Sequence, residues 1–319
     1  MSNNTTIFSK ERINASLKQY GMILILIGMV IIMTIVEPVF IHSANLINIF
    51  KQVAVIGTLA YGVTLIIITG GIDLSSGSVI ALVGVVSASL AGPGDNIFIA
   101  MGVGLLVGAA CGATNGFILA KTGIPPFIVT LGMMTVARGL ALTYSGGRPI
   151  SDISNSFLYV GTGKIGFLPV AVLLFLFMGL ITHIILQRTP FGKKIYAIGG
   201  NEEAAIVCGL NVKRSIIIVY TYAGLMSAVG GIILTARVSS GNPTAGQAYE
   251  LDAIASAVIG GTSLTGGVGT IWGTIIGALI IGVLNNGLTL IGVSPYLQQI
   301  VKGVIIVGAV ILDAYKNKR

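Results

Sequence analysis

The sequence predicts an all-α protein that crosses a membrane many times, and its composition supplies the evidence. Hydrophobic residues make up 54% of the 319 residues and charged residues only 9%, and the mean hydropathy is +0.97. Soluble domains carry about 25% charged residues, so this chain has too little polar surface to face water. Its net charge of +8 comes from Lys and Arg residues that lie between apolar runs. That distribution does not favour a nucleic-acid-binding surface.

Ten apolar runs follow one another along the chain. They occupy residues 20–36, 47–69, 77–91, 97–119, 126–144, 168–186, 215–235, 252–264, 269–291 and 296–313. We expect all of them to be helical, because an open strand edge cannot be satisfied in lipid. A full span needs about 20 residues, so the short, Gly- and Ser-rich runs at 77–91 and 252–264 are either complete spans or broken, re-entrant helices. The whole chain, 1–319, is expected to form a single transmembrane domain.

The distribution of Lys and Arg predicts the orientation of the helices. If the runs alternate in direction, twelve of the eighteen cations fall in segments on one side of the membrane and four on the other. Cytoplasmic segments carry such an excess of Lys and Arg. We therefore expect both termini, the polar segment 1–19 and the loop 187–214 to be cytoplasmic. The first run lacks a cleavage site and is interpreted as a retained span.

Two parts of the chain resemble each other. The sequence IDLSSGSVIALVG surrounds Asp73, and LDAIASAVIGGTS surrounds Asp252. Glycines recur at every fourth position in both 104–116 and 269–277. This pattern predicts repeats at about 47–144 and 215–313. The second repeat starts five helices after the first, and because this number is odd, the two repeats are expected to insert in opposite directions. Inverted repeats are common in transporters, although apolar helices also resemble one another by chance.

The loop 187–214 contains a predicted helix outside the bilayer. Asn201 is a good N-cap, acidic residues suit the first turn, and Gly209 suits the C′ position. The six residues assigned to this feature are Asn201, Glu202, Glu203, Ala204, Ala205 and Gly209. The small Ala-Ala face would let another protein approach closely. Alternatively, the helix is an ordinary capped connector between two spans.

Several motifs carry a resemblance to a known family. The pattern Glu-Ala-Ala-x-x-x-Gly at 203–209 resembles the cytoplasmic loop of permease subunits of ABC-type importers. The segment 70–78, GGIDLSSGS, resembles a signature of sugar permeases, although Ser76 stands where that family usually has valine. Further blocks at 249–255, 259–264 and 284–288 are similar to ribose permeases. Matching runs extend from about Asn45 to Asp313.

The resemblance implies a membrane-spanning permease in the bacterial cytoplasmic membrane. It implies that the loop helix docks on an ATP-binding partner subunit, that an extracytoplasmic sugar-binding protein delivers substrate, and that two permease copies pair. The implied cargo is ribose, another small sugar or a sugar-like signal. The chain itself contains no G-x-x-x-x-G-K-[ST] phosphate loop. It is therefore not expected to be an enzyme or to hold a cofactor; its partner would use the ATP.

Six polar residues within or beside the apolar runs are candidates for the translocation path or for structural roles. They are Asp73, Asn115, Arg138, Asp252, Asn286 and Lys302. Membrane-embedded charges are functional candidates by default, so the two aspartates either contact sugar or relay protons, or they cap the helices that follow them. The basic residues either line an aqueous path or snorkel. The asparagines either join helices or contact sugar.

No residue pattern indicates a catalytic centre or a metal site. The sequence shows no Cys/His ligand set and no nucleophile–base pair. The main rival to an ATP-driven permease is an ion-coupled secondary transporter. Such a transporter would need titratable groups, such as Asp73 and Asp252, in its path.

Overall fold

The computed structural model describes residues 21–317, so the predicted cytoplasmic segment 1–19 lies outside the described residues. The helices are α1 (Gly21–Val36), α2 (Ser43–Ile68), α3 (Ser76–Ser89), α4 (Ile97–Thr122), α5 (Pro126–Ser145), α6 (Asn155–Thr162), α7 (Val170–Arg188), α8 (Pro190–Gly200), α9 (Glu202–Val207), α10 (Val212–Val238), α11 (Tyr249–Ile259), α12 (Ile271–Leu290) and α13 (Pro295–Asn317). A short 3-10 helix, Pro38–Ile41, precedes α2.

Each of the ten apolar runs falls on a helix. Within residues 21–317, six helices are long and apolar enough to cross a membrane: α2, α4, α5, α7, α10 and α12. The two runs predicted to be short correspond to α3, with 14 residues, and α11, with 11 residues. At 1.5 Å per residue both are shorter than a hydrocarbon core of about 30 Å. Neither helix can span such a core alone.

The long helices α2 and α10 form the centre of the fold. The helix α2 packs against α10, α11 and α12, while α10 packs against α2, α3 and α4. Small residues allow these helices to approach closely, as in membrane helix interfaces generally. A Cβ on Gly62 would lie 2.6 Å from the Cα of Ala223, and a Cβ on Gly112 would overlap the Tyr220 carbonyl. The predicted glycine ladder of α4 is therefore a packing face.

The two ends of the helix bundle differ in charge. We call residues 68–71, 119–126, 188–214 and 260–270 the basic end, and residues 37–43, 90–96, 146–169, 239–243 and 291–294 the hairpin end. The basic end carries six Lys and Arg against two acidic residues, and the hairpin end two against three. At the basic end the Gly267 amide donates to the Ile68 carbonyl at 2.8 Å. At the hairpin end Ile150 forms an antiparallel bridge with Gly241.

The short helices α3 and α11 begin beside each other in the interior and run to opposite ends. A Cβ on Gly77, in the first turn of α3, would overlap the Gly246 carbonyl and the Glu250 carboxylate at the start of α11. After α3, the Ala91 carbonyl accepts from Ser154 at the hairpin end. The helix α11 instead leads to the basic end. The non-helical segment 69–75 connects the basic end to the start of α3 in the interior, and the segment 239–248 connects the hairpin end to the start of α11.

Structure within the connecting loops was not predicted in detail. The segment 146–169 contains α6 and a two-stranded antiparallel hairpin, β1 (Lys164–Ile165) and β2 (Leu168–Pro169). The register pairs Lys164 with Pro169 and Ile165 with Leu168. The basic-end loop contains α8 in addition to the predicted helix α9.

Candidate functional site

The predicted loop helix is present as α9, with six residues. The Asn201 side chain accepts a hydrogen bond from the Ala204 amide at 2.8 Å, as an N-cap does. At the other end Gly209 has a φ of +79°. Its amide donates to the Ile206 carbonyl, and the Leu210 amide donates to the Ala205 carbonyl. These two bonds form a Schellman motif, so both predicted ends are confirmed.

The exposed face of α9 differs from the small Ala-Ala face that was predicted. Ala205 is only 4% exposed and lies in a cluster with Ile198 and Val212. The large side chains at the surface are Ile206, 56% exposed, and Val207, 88% exposed. Successive helical residues point about 100° apart, so Ala204 is exposed while Ala205 faces the core, and the two do not form one docking face. Ala205 supports the helix from within, and Val207 is available to a partner.

The loop around α9 is attached to the core by α8. The Tyr196 hydroxyl donates to the Gly269 carbonyl at 2.7 Å and accepts from Gln187. Burial raises the pKa of Tyr196, and the bond from Gln187 lowers it by a smaller amount, so the hydroxyl keeps its proton at neutral pH and can donate. A Cβ on Gly199 would overlap the Ile68 carbonyl. Asn201 follows α8 directly, so α9 is connected through α8 to the end of α2 and to the segment before α12.

Asp73 is buried but is not itself the residue that caps α3. Its Oδ1 accepts from the Ser75 amide at 2.8 Å and from the Ser75 hydroxyl at 2.6 Å. Ser75 occupies the N-cap position without a side-chain capping bond, because its hydroxyl is engaged by Asp73. Asn115 on α4 donates to the same hydroxyl at 3.1 Å. The direct capping role considered for Asp73 is corrected to an indirect one: Asp73 and Asn115 fix the residue that starts α3.

Asp252 does not cap α11 either, since it lies inside the first turn of that helix. Its Oδ2 forms an ion pair with the Lys302 ammonium on α13 at 2.9 Å, and Asn285 on α12 approaches at 3.4 Å. The Asp252 side chain is 2% exposed and that of Lys302 21%. The capping interpretation of Asp252 is therefore wrong. Its buried carboxylate is stabilised by the Lys302 ammonium, as buried charges generally require, and not by the backbone amides at the start of α11. The other Asp252 oxygen has no partner among the described residues.

The remaining polar candidates join separate parts of the fold. Arg138 donates to the carbonyls of Pro243 and Ala245 at 2.7 and 2.8 Å, which ties α5 to the segment before α11. Asn286 and Asn45 exchange two amide hydrogen bonds of 2.8 and 2.9 Å. These bonds support the structural alternative for both candidate residues.

The structure does not bring the six polar candidates into one site. Asp73 and Asn115 share Ser75 as a hydrogen-bond partner, and Asp252 pairs with Lys302, whereas Arg138 and Asn286 have other partners. Sequence reasoning missed Ser75 and Asn45, because their roles depend on residues 40 and 241 positions away. Within residues 21–317, no group of three or more His, Cys, Asp or Glu could hold a metal ion.

Comparison with known proteins places the fold in a functional context. The family model described as "Branched-chain amino acid transport system / permease component" matches residues 45–310. The chain is 46% identical to the ribose import permease protein RbsC of Bacillus subtilis over 303 residues, which cover 94% of each chain. It is 45% identical to RbsC of Escherichia coli K12, with 94% of this chain and 95% of the relative covered.

A relative with a different cargo name is also similar. The D-allose transport system permease protein AlsC of Escherichia coli K12 is 39% identical, with 94% of this chain and 93% of AlsC covered. No solved structure matches. The family match covers most of the chain and includes every helix from α3 to α12. The chain therefore belongs to this family of membrane transport permease components.

Proposed function

We propose that this chain is the membrane-spanning permease subunit of an ATP-driven importer of a monosaccharide, either ribose or a similar small sugar. The observation that carries the proposal is the identity of 45–46% over 94% of the chain to two proteins named ribose import permease. The allose permease is also 39% identical, so the class of small sugars is better supported than any single sugar.

An ATP-binding partner subunit docks on α9 in this proposal. The exposed Ile206 and Val207 provide an apolar contact, while Glu202 and Glu203 stabilise the positive end of the helix. Docking movements would reach the spans through two attachments. One joins Gly199 to the end of α2, and the other joins Tyr196 to Gly269.

The broken spans are the proposed moving parts. Helices α3 and α11 start beside each other and run to opposite ends of the bundle, which suits alternating access between two faces. The contacts among the helices also support the inverted repeat. If α2 to α5 are matched in order with α10 to α13, each contact between helices of these two sets has a counterpart between the matching helices. In this proposal ten segments, including the two broken ones, cross the bilayer. Inverted repeats with interrupted helices are a recurrent transporter design.

The basic end faces the cytoplasm in this proposal, together with both termini. Its excess of Lys and Arg follows the positive-inside pattern. The hairpin end then meets an extracytoplasmic sugar-binding protein, and a second permease copy completes the complex. The ion pair with Lys302 engages Asp252, one of the two carboxylates that an ion-coupled transporter would need in its path. This favours ATP-driven transport over ion coupling.

Reconstitution tests the proposed function. The permease is placed in proteoliposomes with its ATP-binding subunit and its sugar-binding protein, and uptake of labelled ribose and allose is measured. We expect sugar uptake that requires ATP and survives an uncoupler. Uptake abolished by the uncoupler while ATP is maintained would contradict the proposal and favour a secondary transporter.

The docking role of α9 has a test of its own. Val207→Asp places a charge at an 88% exposed position, so the permease should fold and reach normal abundance. We expect loss of ATPase association and of stimulated ATP hydrolysis, because the charge must be desolvated in the interface. Val207→Leu keeps an apolar side chain and serves as the control. Full stimulation in the Asp variant would show that α9 is only a connector.

A further inference from the structure

A cavity of about 480 Å³ opens at the basic end, beside the docking helix. Its walls are the segment Thr69, Gly70 and Gly71 after α2, the last turn of α4, the first two turns of α10, and Glu202 of α9. Pockets of about 300–1,000 Å³ hold small organic ligands. The cavity therefore has the size for one small molecule, in contact with both the docking helix and the core.

The cavity extends along one face of α10. Lys213, Ile216 and Tyr220 line it at helical spacing. Lys213 is exposed at the mouth, whereas Tyr220 is 2% exposed at the floor. Seven residues of helix separate these two positions by about 10 Å. A ligand that reaches both ends would be about as long as a monosaccharide with one substituent.

The floor contains a polar group that lacks a partner. The Tyr220 hydroxyl is buried and makes no hydrogen bond with the described residues. Gly71, on the cavity wall, lies against it, and a Cβ there would come within 2.6 Å of the hydroxyl oxygen. Buried polar groups are nearly always paired. The hydroxyl oxygen is covered by the wall at Gly71, so a ligand reaches it when the Gly70 and Gly71 backbone shifts; an unpaired hydroxyl there is suited to a ligand that brings its own donors and acceptors.

The mouth is positively charged. Lys121 and Lys213 both line it, against the single carboxylate of Glu202. The Lys121 ammonium lies 4.6 Å from the centre of the Phe117 ring, and with three N–H groups it can still donate to an anion. The first turn of α10 adds the positive end of a helix dipole. Together these groups favour an anion at the mouth.

We infer that this cavity binds a phosphorylated polyol of monosaccharide size, with phosphate at Lys121 and Lys213 and hydroxyl groups at Tyr220. The inference rests on the proposed function for its orientation, which places the basic end in the cytoplasm. A reaction that phosphorylates the imported sugar would supply such a ligand. The lining residues Glu202, Lys213 and Gly71 belong to α9, to α10 and to the segment after α2. A bound ligand would therefore contact all three and restrict the movement of the docking helix relative to α2. Occupancy should therefore slow transport-coupled ATP hydrolysis.

Two sources can provide this chemistry: a soluble sugar phosphate or the headgroup of a glycerol phospholipid. The permease with its ATP-binding subunit, without the sugar-binding protein, is placed in nanodiscs of zwitterionic lipid and, separately, in nanodiscs that also contain phosphatidylglycerol. Binding of ribose 5-phosphate, ribose and inorganic phosphate is measured by calorimetry. We expect ribose 5-phosphate to bind at least tenfold more tightly than the other two in zwitterionic nanodiscs. If the phospholipid headgroup is the source, phosphatidylglycerol will abolish this binding; if it is the soluble sugar phosphate, binding will persist.

Paired variants test the assigned contacts. Lys213→Gln should weaken ribose 5-phosphate binding about tenfold, as expected for loss of a charge-assisted bond. Tyr220→Phe should weaken ribose 5-phosphate but leave inorganic phosphate unchanged. Lys194→Gln removes an exposed charge at the same end, and Tyr61→Phe removes another buried, unpartnered hydroxyl remote from the cavity. Both controls should bind like the parent protein.

Several results would overturn the inference. Equal binding of ribose 5-phosphate and inorganic phosphate, unaffected by Tyr220→Phe, would indicate a surface charge effect only. Equal binding of ribose would remove the phosphate assignment. Sugar uptake and ATP hydrolysis are measured with the same purified complex in proteoliposomes that also receive the sugar-binding protein, so failure of the proposed function shows as absent transport with binding intact. Failure of this inference shows as intact transport without ribose 5-phosphate binding or inhibition.

Discussion

The buried carboxylate of Asp252 is compensated by a partner distant in sequence. Asp252 is paired with Lys302, 50 residues later, and is approached by Asn285 from a third helix. Removing one partner of a buried ion pair destabilises a protein more than replacing both partners with apolar residues, because the remaining charge stays buried without compensation. At the residue scale, the pair therefore holds α13 against α11 and α12.

Lys302→Met should destabilise the protein by about 3–5 kcal/mol, the range for an orphaned buried charge. Adding Asp252→Asn removes that charge and should recover part of the loss. Thermal unfolding of the purified permease measures both effects, with Lys194→Met as an exposed control. If Lys302→Met unfolds at the temperature of the parent protein, the pair is not a stabilising contact; if the double variant recovers nothing, the loss does not come from the orphaned charge.

The backbone at Gly209 supports a second prediction. Its φ of +79° lies in the left-handed region, where a β-branched residue costs on the order of 1 kcal/mol or more. Gly209→Val should deform the end of α9 and reduce binding-protein-stimulated ATP hydrolysis at normal permease abundance. Asn tolerates this backbone region better, so Gly209→Asn should retain more activity. Equal activity in both variants would show that stimulation of ATP hydrolysis does not depend on the backbone conformation at residue 209.

At the element scale, the glycine positions decide how closely the helices approach. Gly108 and Gly112 on α4 face the backbone of α10, and Gly273 and Gly277 on α12 face that of α11. Gly102 on α4, by contrast, has no atom within 4 Å of an added Cβ. The spacing of the ladder is therefore informative only where a partner backbone lies opposite.

Gly112→Val should separate α4 from α10, because its Cβ would overlap the Tyr220 carbonyl. Overpacking of this kind costs about 1–3 kcal/mol, which should appear as lower thermal stability and lower abundance. Gly102→Val changes the same helix where no atom lies within 4 Å of the added Cβ. A Gly102 variant as unstable as the Gly112 variant would implicate helix conformation rather than packing.

At the scale of the whole molecule, the charge difference between the two ends predicts orientation. Cys208 lies exposed at the basic end, whereas Cys111 lies half-buried in α4. In a Cys111→Ala background, an impermeant thiol reagent should label Cys208 in inverted vesicles and not in intact spheroplasts.

Labelling at the opposite end completes that experiment. Ser156→Cys, introduced together with Cys208→Ala, places an exposed thiol on α6 at the hairpin end. It should react in intact spheroplasts. The reverse pattern for the two positions would invert the proposed topology.

Local features of the fold were predictable because they depend on neighbouring residues. All ten apolar runs lie on helices, and the cap at Asn201 and the turn at Gly209 were both identified from short-range signals. The family was recognisable from motifs such as 70–78, and the comparisons confirm it. Hydropathy patterns and helix caps depend on residues within a few positions of each other, so they can be recognised from the amino-acid sequence alone.

Only the tertiary structure decided which groups meet. The choice of Lys302 as the partner of Asp252 and the inward direction of Ala205 follow from packing between separated segments. The same holds for the meeting of α3 and α11 at Gly77, since either short helix alone is compatible with several depths and directions. The sequence by itself determined a helical membrane permease and its local turns. Long-range packing and charge pairing, which no local pattern encodes, decided the interior contacts.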